Sequence, residues 1–257
     1  MLTHRANILI LSVFLLVLGL LIYTYQWSPG ILIAPILFFI TIEVIGASRL
    51  SVNFHFTSIC NAETNEKIVS ITFDDGPHGE ETEKVLVALK DYNAKAAFFC
   101  IGKKINNEVP LLKKLDEAGH IIANHSYTHG NLFDLQSTNK LSEEIELTNK
   151  EIKKAIGKTP LFFRPPYGAA TPALGRAIQR NKMISIGWNI RSFDTSIKDP
   201  ENIFQRIKPQ IQPGAIILLH DRLEGCDVVV RLLLSHLKEN HYTVVNLDKL
   251  INQPAYA

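Results

Sequence analysis

Two kinds of hydrophobic pattern divide the chain into two parts. Residues 6–25 and 31–47 are almost continuously apolar and are separated by a Trp-Ser-Pro-Gly turn. A helix needs about 20 apolar residues to cross a bilayer, so these runs predict a hairpin of two transmembrane helices. We interpret residues 1–50 as a membrane anchor, 51–66 as a linker and 67–257 as a globular domain. A cleaved signal peptide is the weaker interpretation, because no small-residue cleavage site follows the first run.

Beyond residue 66, short apolar runs alternate with longer amphipathic ones. The short runs predict strands at 68–73, 96–100, 120–123, 161–163, 183–187, 215–219 and 242–246. The segments between them predict helices at 80–92, 104–118, 141–156, 171–181, 203–210 and 228–239. In the third helix, Ser142 is the expected N-cap, and Glu143 and Glu144 follow in the first turn. Alternating strands and helices form right-handed βαβ units, so we expect an α/β fold: a distorted, incomplete (β/α)7-type barrel.

Polar residues follow the predicted strands at the points where the strands end. They are Asp74 and Asp75 after the first strand, His125 after the third, Arg164 after the fourth, Asp194 after the fifth and His220 after the sixth. In a (β/α) barrel the functional groups collect at the carboxyl ends of the strands. The pattern therefore predicts one functional site at that edge of the barrel.

The segment Asp74-Asp75-Gly76-Pro77 places two carboxylates side by side. Adjacent like charges are costly unless something positive or a shared proton separates their roles. One carboxylate that binds a metal ion and one that acts as a general base is an arrangement of this kind. Taken alone, the segment is more often an acidic turn, since Asp-Gly and Gly-Pro are common turn formers.

His125 and His129 are four residues apart, a spacing that places both imidazoles on one face of a helical turn. Taken alone, such a pair is more often found on the surface or at a cap. Together with a strand-end carboxylate, the pair suits an open zinc site with two His ligands and one carboxylate. Fe²⁺ or Co²⁺ would suit the same ligands.

Two further segments add candidate groups. In Arg164-Pro165-Pro166-Tyr167-Gly168, the two prolines favour an extended chain and Gly168 allows a close backbone approach, so the segment can offer a fixed N–H to an oxyanion. A surface arginine in a salt bridge is the alternative. His220 ends a buried strand and can be a general acid beside a metal and an aspartate, although alone it would be a core histidine.

Charge and cysteine content exclude some classes. The formal net charge of +2 leaves no electrostatic footprint for nucleic acid. Cys60, Cys100 and Cys226 have neither zinc-ribbon spacing nor the even number of a disulfide framework, so we expect buried free thiols.

Four segments together resemble, in order, the motifs of polysaccharide deacetylases (carbohydrate esterase family 4, the nodulation-type deacetylases). They are Thr72–Pro77, His125–His129, Arg164–Gly168 and Leu218–His220. The resemblance spans about residues 67–247. It implies hydrolysis of acetyl groups, above all N-acetyl groups of N-acetylhexosamine units, from an acetylated glycan.

The resemblance also implies residue roles. Asp74 would be the general base, and Asp75, His125 and His129 would bind a divalent metal, with Zn²⁺ preferred over Fe²⁺ or Co²⁺. The residues implied around them are Arg164 beside the base, Tyr167, Leu218 and Trp188 at the oxyanion and substrate pocket, and His220 as the acid with Asp194 as its support.

One motif departs from the family pattern Asp-x-x-Asp-Trp. Arg191 stands in the place of the first Asp and Thr195 in the place of Trp, while Asp194 is retained. The departure affects the expected pKa of the acid and the substrate groove, and leaves the metal ligands unchanged. Two alternatives stay open: a non-catalytic, membrane-anchored glycan-binding protein, and a hydrolase of another acyl amide or ester.

We expect an integral protein of the bacterial plasma membrane. Arg5 precedes the first apolar run, Arg49 follows the second, and the turn between them has no Lys or Arg. The positive-inside rule therefore favours a cytoplasmic globular domain. If the second apolar run only lies on the membrane surface, the domain would be outside. The cytoplasmic side conflicts with an extracellular glycan, and the membrane tether itself favours a large, surface-bound or lipid-linked glycan.

Overall fold

A parallel sheet, curled into an incomplete barrel, forms the centre of the computed structural model, which describes residues 3–257. Its strands are β1 (Ile68–Gly76), β2 (Ala96–Cys100), β3 (Ile121–Asn124), β4 (Phe162–Phe163), β5 (Ile184–Ser185), β6 (Ile190–Arg191), β7 (Ile216–His220) and β8 (Thr243–Val244). Their order is β5-β4-β3-β2-β1-β7-β6, and β8 pairs with the first residues of β1. The expected barrel architecture is confirmed. Each of the seven predicted strands is present: β2 has the predicted bounds, β1 is longer than predicted, and the others are shorter or shifted by one residue.

Helices cover the outside of the sheet. Those of the barrel are α3 (Gly79–Asp91), α4 (Gly102–Ile105), α5 (Val109–Glu117), α6 (Thr138–Ile156), α7 (Pro172–Arg180), α8 (Pro200–Ile207), α9 (Cys226–Glu239) and α10 (Leu247–Ile251). The single helix predicted at 104–118 is two helices, because Pro110 suits a helix start and opens a new one after residue 108. The predicted cap of α6 is also wrong. Ser137, and not Ser142, is the N-cap, and its hydroxyl accepts a hydrogen bond from the Lys140 N–H.

The alternation of β1 explains where the site lies. Val69, Ile71 and Phe73 are buried against the outer helices in the largest apolar cluster. Successive side chains of a strand point to opposite faces, so the alternate residues, Thr72 and Asp74 among them, line the barrel interior. A polar set of side chains is thereby buried inside the barrel. The three cysteines are buried and free, as expected.

The amino-terminal hairpin consists of α1 (His4–Tyr25), a short 3-10 turn (Pro29–Leu32) and α2 (Ile33–Ala47). Both helical segments are long enough and apolar enough to cross a membrane, and most of their apolar side chains are exposed. By these two properties the hairpin is compatible with the predicted pair of spans.

The segment expected as a linker, residues 51–66, lies along the barrel. Ile59 pairs with Ile186, and Asn61 pairs with Ala215. At the hairpin itself, the Phe54 carbonyl accepts a hydrogen bond from the His4 N–H, and the Ala47 carbonyl accepts one from the Ala170 N–H. The hairpin is therefore joined to the loop that follows β4, at the carboxyl edge of the sheet.

Candidate metal and acyl-hydrolysis site

A buried ion pair stands at the end of β1. Asp74 and Arg164 are both almost fully buried, and Arg164 Nη1 lies 2.7 Å from Asp74 Oδ1. The same nitrogen donates to Thr72 Oγ1 at 2.8 Å. One oxygen of Asp74 is thus held by the guanidinium, while Oδ2 faces His125 Nε2 at 3.8 Å. This geometry fixes the orientation of the carboxylate.

The remaining donors of Arg164 are satisfied by backbone carbonyls after β5. Nε donates to the Ile186 carbonyl at 3.3 Å and Nη2 to the Gly187 carbonyl at 2.8 Å. The guanidinium carbon lies 4.0 Å from the centre of the Phe99 ring and 5.5 Å from that of Trp188. Burial lowers the pKa of Arg164 and Asp74 raises it, with a net downward shift from a very high ordinary value, so the group stays charged.

Three potential metal ligands meet beside this pair. Asp75 Oδ1 lies 3.6 Å from His125 Nε2 and 3.3 Å from His129 Nε2. The Nδ1–H of His125 donates to the Arg164 carbonyl at 2.8 Å, which leaves Nε2 free to bind a metal. The sequence spacing brings the two histidines together as predicted, but the helical turn given as the reason is wrong. Ser126 and His129 have φ of 65° and 51°, and the segment is a loop.

Glu144 holds that loop from the buried side of α6. Its Oε2 accepts hydrogen bonds from the backbone N–H groups of Tyr127 and Thr128, at 3.0 and 2.7 Å, and its Oε1 accepts one from the Thr128 hydroxyl. Glu144 was expected in the first turn of the helix, where it would complement the helix dipole. It lies instead inside α6, fully enclosed, and positions the histidine loop.

Asp75 is held ionised by its neighbours. Burial opposes its ionisation, but the imidazoles of His125, His220 and His129, when protonated, and a 2.8 Å hydrogen bond from Arg222 Nε outweigh burial and lower its pKa to about 2. For His129, burial and the charge of His125 lower the pKa to about 4, despite the opposing charge of Asp75. At neutral pH the site therefore offers an anionic oxygen and a neutral imidazole, the forms in which these groups bind metals.

His220 and Asp194 form a second pair at the end of β7. One oxygen of Asp194 lies 2.8 Å from His220 Nδ1, and the other accepts a 2.8 Å hydrogen bond from the His220 backbone N–H. Burial lowers the pKa of His220, yet the Asp194 carboxylate, with the charges of Asp74 and Asp75, raises it overall above its ordinary value. His220 and Asp74 are paired neighbours in the β1–β7 register. An acid and a carboxylate thus stand on adjacent strands.

The remaining predicted residues lie in the loops that follow β4 and β5 and on β6 and β7. Tyr167 is half exposed with φ of 60°, and its hydroxyl donates to the His129 carbonyl. Leu218 is buried on β7, and Trp188 packs against Gly168 so closely that a Cβ there would overlap its ring. Arg191, in the divergent motif, is exposed and stacks 4.7 Å from the Phe193 ring centre.

Several functional neighbours were not predicted from the sequence. Besides Glu144 and Arg222, they are Lys104, whose Nζ donates to the Asp75 carbonyl at 2.7 Å, and Asp221, which accepts a hydrogen bond from Thr82. Burial raises the pKa of Asp221 to about 7. The available signal was the immediate succession His220-Asp221-Arg222 after a buried strand.

The donor set suits a divalent metal ion. Asp75 Oδ1 is buried and makes no hydrogen bond, and the three candidate ligand atoms all lie within 4.8 Å of one another. Two imidazoles and one carboxylate are ligands of catalytic zinc sites with an open position. The side chains of Asp75, His125 and His129 therefore fit the ion that the sequence motifs imply.

Known proteins resemble this chain in sequence. Residues 61–184 match the family model described as polysaccharide deacetylase. The chain is 31% identical over 196 residues to peptidoglycan-N-acetylmuramic acid deacetylase PdaA of Bacillus subtilis, covering 73% of each chain. It is 32% identical over 192 residues to peptidoglycan-N-acetylglucosamine deacetylase PgdA of Listeria monocytogenes, covering 75% of this chain and 40% of that protein's length.

Solved structures share the fold. The Bc1960 peptidoglycan N-acetylglucosamine deacetylase superposes with a TM-score of 0.74 at 25% identity, covering 84% of this chain and 99% of that one. BA3943 of Bacillus anthracis, a pseudoenzyme of carbohydrate esterase family 4, superposes with a TM-score of 0.70 at 27% identity, covering 76% and 68%. Sequence identity over most of the barrel, together with the matching family model, shows that this chain belongs to the polysaccharide deacetylase family of hydrolases.

Proposed function

We propose that this chain is a metal-dependent deacetylase that removes N-acetyl groups from N-acetylhexosamine units of a glycan. The observation that carries the proposal is the placement of two proton-transfer groups on adjacent strands, Asp74 on β1 and His220 on β7, beside the Asp75 ligand cluster. Acetamide hydrolysis needs a base for the attacking water and an acid for the departing amine. The named relatives act on acetylated sugars of peptidoglycan.

Asp75, His125 and His129 would hold the cation, with Zn²⁺ favoured by the ligand types and Fe²⁺ or Co²⁺ as alternatives. When bound, a divalent cation polarises the acetyl carbonyl and makes the attacking water more acidic. Asp75 brings the negative charge to this cluster, and the hydrogen bond from Arg222 keeps that carboxylate ionised.

Asp74 would take a proton from the attacking water as the water oxygen bonds to the acetyl carbon. Arg164 holds the carboxylate in position and leaves Asp74 Oδ2 free for this transfer. His220, with its pKa raised by Asp194, would then donate a proton to the nitrogen as the carbon–nitrogen bond breaks, giving acetate and an amine. The backbone N–H of Tyr167 is the proposed oxyanion donor, and Leu218 and Trp188 the proposed walls of the substrate pocket.

We further infer that the hairpin holds the barrel at a bilayer surface, in the plasma membrane of a bacterium. The hydrogen bond between Ala47 and Ala170 joins α2 to the same loop that carries Tyr167. The substrate groove would therefore lie beside the membrane, which favours a lipid-linked or surface-bound glycan. A lipid-linked glycan on the inner leaflet would also agree with the cytoplasmic side that Arg5 and Arg49 favour.

The first experiment is acetate release from an N-acetylglucosamine oligomer by zinc-loaded protein, beside Asp74→Asn and Asp75→Ala. We expect Asp74→Asn to abolish turnover while metal content stays at the wild-type level, and Asp75→Ala to lose both turnover and the metal ion held by Asp75, His125 and His129. Full activity in Asp74→Asn would refute the assignment of the base.

A non-catalytic glycan-binding function is the second candidate, because a family pseudoenzyme shares this fold. The fold alone therefore does not decide activity. The Asp74–Arg164 and Asp194–His220 pairs favour the enzyme. Binding of the oligomer without acetate release by metal-loaded protein would favour the second candidate. Acetate or another acid released only from a different acyl amide or ester would instead change the substrate.

A further inference from the structure

A second group of metal-binding side chains lies where the helical hairpin meets the barrel. His4 is the first residue of α1, Glu43 lies in the last turns of α2, and His55 belongs to segment 51–66. The three side chains come from three separate stretches of the chain. Their nearest ligand atoms all lie within 4.8 Å of one another, the same bound that holds for the cluster in the barrel.

The distances within this group match those of residues that share an ion. Glu43 Oε2 lies 2.8 Å from His4 Nδ1 and 3.9 Å from His55 Nε2. Ligand atoms around one tetrahedral zinc ion stand roughly 3.3 Å apart, given metal–ligand bonds of about 2.0–2.2 Å. The observed separations bracket that value. Rotations of the more exposed His4 and Glu43 side chains would bring all three ligand atoms onto one ion.

Hydrogen bonding within the described residues does not account for His55. Its side chain is 2% exposed, the 3.9 Å approach to Glu43 is too long for a hydrogen bond, and Nδ1 is buried without a partner. A buried polar group without a partner costs free energy, so most such groups have a partner or bind an ion or a water. A ligand between His55 and Glu43 would occupy the gap.

Glu43 is also held as a ligand would be. Glu43 Oε1 accepts a 2.9 Å hydrogen bond from Asn7 Nδ2, and Oε2 faces the two imidazoles. Partners of this kind orient the carboxylate ligands of metal sites. The carboxylate stands at the end of an apolar helix, where an unneutralised charge is costly.

We propose that His4, Glu43 and His55 form a second divalent-metal site, of the zinc class, which fastens the helical hairpin to the barrel. The site would join α1, α2 and segment 51–66 through one ion. Two imidazoles and a carboxylate suit Zn²⁺, Co²⁺ or Ni²⁺ better than Mg²⁺ or Ca²⁺, which prefer oxygen ligands. Its function is structural, so the proposal is independent of the deacetylase chemistry.

The test counts metal ions on the full-length protein in detergent, stripped with chelator, reloaded with Zn²⁺ and freed of excess. We expect about two zinc ions per wild-type chain, about one in Asp75→Ala, about one in His55→Ala, and none in the double variant. Glu43→Gln preserves the side-chain shape and serves if His55→Ala fails to fold. His241→Asn is the matched control, since this histidine is exposed and Asn tolerates its positive φ of 62°.

Limited proteolysis within 51–66 gives a second readout. Chelator should increase cleavage in Asp75→Ala, which keeps the proposed hairpin ion, and should not change cleavage in Glu43→Gln. A zinc content of one ion per wild-type chain and none in Asp75→Ala would overturn the proposal. His4 and Glu43 would then form an ordinary ion pair. Since no activity is measured, failure here is distinguishable from failure of the proposed deacetylase function.

Discussion

Replacing Asp194 by Asn tests how the structure raises the pKa of His220, the proposed general acid. In the structure, the two oxygens of Asp194 accept from His220 Nδ1 and from the His220 backbone N–H, each at 2.8 Å. An asparagine can accept only one of these bonds through its carbonyl oxygen. Its amide group would face the other donor, and the negative charge beside the imidazole would be lost.

The size of the effect follows from the lost charge. A hydrogen bond to a charged group contributes about 1.5–3 kcal/mol, and about 1.4 kcal/mol corresponds to one pKa unit. The pKa of His220, now raised, should therefore fall by roughly 1–2 units. A general acid must be protonated, so activity declines as pH rises through its pKa. In the pH profile of kcat/KM, the apparent pKa of the basic limb should fall by the same interval of roughly 1–2 units. At a fixed pH on that limb, kcat/KM should decrease by about 10- to 100-fold.

The assay is acetate release as a function of pH with zinc-loaded protein. Asp199→Asn is the matched control, because Asp199 caps α8 in an exposed position and Asn caps a helix about as well. An unchanged basic limb in Asp194→Asn, with wild-type metal content, would refute the reasoning. Stability gives an independent test. In urea unfolding, the free energy by which the wild type exceeds Asp194→Asn should be full below pH 6.5 and should shrink as pH rises through the raised pKa of His220.

Three further substitutions address the support of the site. Arg222→Met removes the hydrogen bond to Asp75, so the pKa of Asp75 should rise from about 2 and zinc affinity should fall about 10- to 100-fold in a chelator competition titration. Glu144→Gln leaves donors of the histidine loop without an acceptor, and urea unfolding should show a loss of about 1–3 kcal/mol. Gly76→Ala would push a Cβ into the buried Asp221 carboxyl, and the same measurement should show a loss of about 1–3 kcal/mol.

Each substitution has a control elsewhere in the chain. Arg231→Met removes an exposed ion pair with Asp91, and zinc affinity should not change. Glu143→Gln alters the exposed neighbour of Glu144, and Gly130→Ala adds a Cβ that meets only ordinary contacts. If a variant and its control changed the measured quantity equally, the effect could not be attributed to the contact that the variant removes or disturbs.

Much of the barrel could be predicted because its strands are buried on both faces and carry strong patterns. Asp74, Asp75 and His220 follow such strands directly, so their meeting at one edge required only the parallel topology. β6 (Ile190–Arg191) was missed because polar residues flank Ile190, whereas β4, β5 and β8, which are also two residues long, lie within longer apolar runs. Strand existence was predictable where the apolar run was long.

The parts of the site that depend on loop conformation could not be predicted. His125 and His129 meet through positive φ at two residues, and no hydrophobic period encodes that path. Glu144 lies on the buried side of α6. It was predicted in the first turn because the start of this helix was placed three residues too late. Arg222 reaches Asp75 only through the course of the turn after β7.

The mutual dependence of Asp74 and Arg164 has a consequence for how such a protein can evolve. Loss of Asp74 would leave a fully buried guanidinium without its counter-charge, at a cost of about 3–5 kcal/mol. Loss of Arg164 would release backbone carbonyls after β5 and leave a cavity between two aromatic rings. Most proteins have only about 5–15 kcal/mol of stability, so a change at either position would lower the folded fraction of the protein as well as its activity. Selection for folding would thus act on the same pair of residues as selection for activity.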